Sequence, residues 1–171
     1  MIKSLVRGGL LCAILIGGTV LAAEPKAEPM LINVKRLTLE AALKIAQGTI
    51  EQCRAEGVQV VVTVVDRAGH PQVVLRDVLA TDLPLTVSRE KAYTAMSFRS
   101  PTSELAKQFT APFSVAKVSG VLPAAGGLPI VAGGATIGGV GVSGAPSGEL
   151  DEKCAQAGLD AVQMELEMEA L

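Results

Sequence analysis

Helix, hairpin, helices, hairpin and helix, in that order, predict an α+β domain: an antiparallel sheet with helices on its faces. Three observations carry this prediction. Apolar residues at Leu39, Ala42, Leu43, Ala46, Ile50 and Cys53 recur at helical spacing. Runs rich in β-branched residues, bounded by turn residues, read as strands. The third is a glycine-rich stretch, Gly126–Ala161, in which Ile137, Val140 and Val142 alternate with small residues. A flexible tether would lack that alternation, so its glycines face packed backbones or a ligand.

Taken in order, Thr38 is a fair N-cap for the first helix, Glu40 sits where the helix dipole favours an acid, and Gly57 is a natural stop. Val58–Val65 follows as a buried strand, the turn Asp66-Arg67-Ala68-Gly69 reverses the chain, and Pro71–Arg76 returns. Pro71 restricts its strand to a strand start or a sheet edge. A loop through Asp77–Pro84 leads to a helix over Thr86–Arg99. Ser100-Pro101 then breaks and restarts the chain into a short helix ending at Phe109. Thr110–Ala125 has no clean period and reads as a surface loop able to act as a flap. Strands Leu128–Val131 and Thr136–Ser143 form the second hairpin, and Glu149–Leu166 closes the chain as a helix.

The N-terminus reads as an export signal. Lys3 and Arg7 precede an apolar run, Gly8–Leu21, and Val20-Leu21-Ala22 supplies small residues at a cleavage site. The run is shorter than the ~20 residues a spanning helix needs. Residues 1–22 are therefore expected to leave, 23–36 to form a flexible leader with Pro25 and Pro29, and 37–171 to form one domain, periplasmic or secreted, with no membrane attachment after cleavage. Loss of Lys3 and Arg7 makes the formal net charge of −2 more negative. No basic patch stands out and Trp is absent, which argues against nucleic acid as a partner. Cys53 and Cys154, each on an expected helix, pair as a disulfide or pack as two small core residues; the sequence leaves both open.

The order TLEAALKIAQ, VVTVVDRAGH, an arginine closing the next strand, SREKAYTAMSFRSPT, and GGLPI…GGVGVSGAPSGELDEKCAQAGL resembles the GlcG/HbpS-like family of haem-binding proteins, also found as the C-terminal domain of PduO-type proteins. The resemblance covers about Leu37–Val162, and its most specific part is GVSGAPSGELDE followed by CAQAGL. It implies an α/β sandwich around a mainly antiparallel, about five-stranded sheet with a profilin-like look. It also implies haem as cofactor and assembly into a homo-oligomer. One departure concerns the Asp77-Val78-Leu79-Ala80 segment, where relatives commonly carry Met-Asp-Gly-Ala.

Against that background the chemistry-bearing residues are few. His70 is the only histidine, hence the sole imidazole able to ligate haem iron, and it sits at a hairpin tip. Thr94 and Tyr93 are oxygen ligands of the right kind on the third element, and Met96 is a sulfur alternative more at home in a core. Lys91, Arg76 and Arg99 are cations for propionates or another small carboxylate. Lys91, Thr94 and Phe98 share one helix face. Glu149 and Asp151 open the last helix, where carboxylates cap free amides; facing a pocket beside Lys91 they would form an acid–base set. No nucleophile elbow or phosphate loop is present. The leading expectation is an exported, oligomeric haem-binding or haem-handling protein. A pocket protein or enzyme for a small, glycolate-like carboxylate, or a structural oligomer, are the alternatives.

Overall fold

Residues 28–170 are described by a computed structural model; the expected signal peptide and the leader up to residue 27 lie outside the described residues. Residues from Val34 onward form one unit. The Thr38 side chain accepts from the Ala41 amide and starts α1 (Leu39–Ala55), which buries Ala42, Ile45, Ala46, Thr49, Ile50 and Cys53. Strands β1 (Val61–Asp66) and β2 (Pro71–Arg76) pair antiparallel as the first hairpin. Helix α2 runs Leu83–Phe98, followed by α3 (Thr102–Gln108) and a single 3₁₀ turn at Val115–Lys117. Strands β3 (Gly127–Ala132) and β4 (Ala135–Ser143) form the second hairpin, and α4 (Gly148–Ala170) ends the described chain. No helix among the described residues is long and apolar enough to cross a membrane.

Among the described residues the fold is mixed α+β, with four α-helices and an antiparallel sheet ordered β2-β1-β4-β3. The sheet has four strands, not the five that the resemblance implies. Two hairpins supply four, and the remaining candidate stretch, residues 110–126, carries Pro112, Pro123 and Gly120 and folds into turns instead. Pro71 begins β2, an edge strand, where its missing N–H costs no ladder bond. Helix α2 starts three residues earlier than expected because Pro84 fits the first helical turn rather than ending the loop.

Alternation along the strands sorts side chains into two layers. Val60, Val62, Val64 and Val73 join Ile45, Cys53, Cys154 and Leu159 in the core under α1 and α4. Cys53 and Cys154 are disulfide-bonded, with Cα atoms 5.4 Å apart, stapling α1 to α4. The opposite sheet face meets α2, where the hydroxyls of Thr63 and Ser88 share a hydrogen bond of 2.8 Å. Glycine sets that layer's spacing: at Gly141 a Cβ would run into the Ser88 carbonyl and the Ala92 amide, so backbone lies against backbone. The small-residue strand thus serves packing rather than a phosphate.

Candidate functional site

Helix α2 carries two different neighbourhoods on adjacent turns. The first is an open cleft under the β1–β2 turn. There the Asp66 carboxylate accepts from the amides of Ala68 (2.8 Å) and His70 (2.9 Å), and the Asp66 amide donates to the His70 carbonyl. Gly69 has φ 83°, and a Cβ on it would lie 2.7 Å from the Tyr93 ring, so the turn rests directly on that ring. The His70 side chain is 81% exposed, with Nδ1 3.9 Å from Asp66 Oδ1, beyond hydrogen-bond range. Leu85, Thr86, Arg89, Glu90 and Tyr93 of α2, together with Ser119 and Gly120, complete a cleft of ≈ 670 Å³. That volume lies within the usual range for small-molecule sites.

The second neighbourhood is closed. Lys91 Nζ donates to Asp151 Oδ2 at 2.8 Å and to the Val142 carbonyl at 2.9 Å, and the side chains are only 5% and 4% exposed. The other Asp151 oxygen accepts from the Ala145 amide at 3.0 Å. Burial pushes the Asp151 carboxyl above its ordinary value, against the opposing pull of the Lys91 hydrogen bond and charge. Gly126 packs over this pair: a Cβ there would fall 2.7 Å from Lys91 Nζ and 2.8 Å from Asp151 Cβ. With every strong acceptor matched, the pair ties α2 to the start of α4, and its geometry is that of a structural clamp.

The other expected site residues are dispersed. Thr94 is buried and its hydroxyl accepts from the Leu122 amide at 2.8 Å, which pins the 110–125 segment against α2. Arg76 lies at the opposite end of β2 from His70, donating to the Ala80 carbonyl. Beside it Arg54 holds Asp77 through two hydrogen bonds of 2.7 and 2.9 Å, and that contact keeps the Asp77 carboxyl below its ordinary value. This Asp77–Ala80 loop therefore borders a different cleft from the one under His70. Phe98 meets Phe109 edge-on, ring centroids 5.1 Å apart. Glu149 opens α4 exposed, held below its ordinary value by hydrogen bonds from its own amide and from Ser147.

Of the eight expected residues, then, His70 and Tyr93 share one cleft, Lys91 and Asp151 share a buried contact, and the rest stand apart. Arg89 escaped the sequence reading. Its signal was available, because it precedes Tyr93 by four residues and so lies on the same face of α2. Leu85 escaped because the loop was expected to run to Pro84 and the helix to begin only at Thr86, which hid the first turn of α2.

Residues 37–160 match the family model described as "Haem degrading protein HbpS-like". A crystal structure of a double mutant of HbpS from Streptomyces reticuli is 43% identical, with TM-score 0.75 over 82% of this chain and 98% of that one. The crystal structure of a PduOC:haem complex is 27% identical, with TM-score 0.67 over 74% of this chain and 95% of that one. A Citrobacter freundii protein, known as a 15.0 kDa protein of the dhaT–dhaS intergenic region, is 33% identical over 75% of this chain and 93% of its own length. The chain belongs to the HbpS-like family.

Proposed function

We propose that this chain is an exported, oligomeric haem-binding or haem-handling protein, and that haem enters the cleft under the β1–β2 turn. The observation that carries the reading is His70: an exposed imidazole, making no hydrogen bond through its ring among the described residues, beside a ≈ 670 Å³ cleft that also presents the Tyr93 phenol, the Arg89 guanidinium and the Glu90 carboxylate. The donor set fits the group. His70 would supply a nitrogen ligand, Arg89 would pair with a propionate, and Tyr93 with Leu85 would give apolar contact. Haem bound there supplies redox-active iron. The residues of this chain would bind and orient it.

Export is supported by the N-terminal pattern and by the Cys53–Cys154 disulfide, a bond that persists in oxidising compartments. Assembly is supported by the apolar side chains left exposed around the β2 edge and the start of α2: Val74, Val78, Leu79 and Leu83. The small-carboxylate alternative loses its main cation, because Lys91 is already neutralised by Asp151.

Titration of the purified protein with hemin tests the proposal. A saturable Soret shift is expected, and His70→Ala is expected to change both the spectrum and the affinity. No shift at micromolar haem would overturn haem binding. A shift identical in His70→Ala would move the ligand elsewhere.

A further inference from the structure

A second cleft, of ≈ 480 Å³, opens on the other side of the β1–β2 turn, between that turn, the end of α2 and the β3–β4 turn. Arg67, Ser97, Arg99, Gly134 and Thr136 line it, and no carboxylate does. In a chain whose formal charge is negative, two arginines lining one cleft without an acid is an unbalanced arrangement. Arg67 is already aimed: one of its five N–H donors goes to the Thr136 carbonyl at 2.8 Å, which fixes the guanidinium and leaves the other donors available. Arg99 makes no side-chain hydrogen bond or ion pair among the described residues.

Arg99 is also conformationally odd. It caps α2 in the left-handed region at φ 55°, the only non-glycine residue with positive φ among the described residues. Helices commonly end with glycine at such a position, and a strained non-glycine residue at a cleft points to a function for its side chain. The negative end of α2 opposes an anion here with about half an elementary charge, against two full positive charges.

We propose that this cleft binds a small oxyanion, a phosphate or a dicarboxylate, through Arg67 and Arg99 with the Ser97 hydroxyl. Planar guanidiniums recognise both classes through paired N–H···O bonds. The site is separate from the haem cleft and does not depend on haem.

Calorimetric titration of the protein with inorganic phosphate and, separately, with malonate tests the assignment, at ionic strength held constant with sodium chloride. Saturable millimolar binding of at least one is expected, and the tighter of the two names the class. Arg67→Gln and Arg99→Gly should each weaken it about tenfold or more. Arg99→Gly suits the left-handed cap, and hemin titration of both variants should match the unsubstituted protein, which shows that each is folded. No saturation with either anion, or equal binding by all three proteins, would overturn the proposal.

Discussion

Lys91 and Arg89 stand two residues apart on one helix and have opposite fates. Lys91 points into the sheet, where Asp151 and the Val142 carbonyl absorb its charge. Arg89 points into the cleft beneath His70. The difference comes from helical geometry: residues two apart lie on nearly opposite faces, and Ser88, Lys91, Ala92 and Ala95 are the face that Gly139 and Gly141 allow against β4. A cation inside a family motif is therefore no guide to a ligand until its face is known. Here the motif lysine builds the fold and the less conspicuous arginine borders the cleft.

The sharpest way to break this contrast is at the buried pair. Lys91→Met leaves Asp151 buried without its partner, and the expected loss of stability is about 3–5 kcal/mol. Lys91→Met with Asp151→Leu should recover most of it, because the uncompensated charge is gone. Urea denaturation measures both, and a Lys91→Met protein as stable as the parent would refute the clamp.

At the cleft, Gly69→Ala should cost less, about 1–2 kcal/mol, since alanine resists the φ of 83°. Its Cβ would also push the turn off the Tyr93 ring, so haem affinity should fall alongside the urea midpoint. Unaltered haem affinity would separate the turn from the site.

Much of this architecture was legible in the sequence. The periodicity of α1, the Asp66–Gly69 turn and the small-residue strand each stand in the structure close to where the residues put them, because local chemistry decides them. Strand count was less legible: the resemblance implied a fifth strand that residues 110–126, with their prolines, do not make. The site was half legible. His70 and Tyr93 sit twenty-odd residues apart and come together only because Gly69 has no side chain to keep the turn from the ring. The Lys91–Asp151 contact spans 60 residues, and nothing local marks which of the two acids at the start of α4 turns inward. That choice is made by the tertiary fold.

A smaller effect separates the buried pair from the half-exposed one. The Asp77 carboxyl is held below its ordinary value, chiefly by the Arg54 hydrogen bonds. It therefore contributes stability that is present above the unfolded-state value and lost as pH falls through the folded one. Asp151 has the opposite sign: its raised value favours the folded state in acid, and the contribution fades as pH rises through the carboxylate range. Asp77→Asn should accordingly flatten the acid-side decline in urea midpoint. A decline of unchanged steepness would assign it to other carboxylates.

The central claim, that haem occupies the cleft under the β1–β2 turn, is tested most directly by the NMR spectrum of the protein loaded with paramagnetic ferric haem. Broadening of the backbone amides of Ala68, Gly69, His70, Ser119 and Gly120, with those of Ser103, Glu149 and Lys153 unaffected, is the predicted result. Broadening centred on Glu149 and Lys153, with the β1–β2 turn sharp, would contradict it.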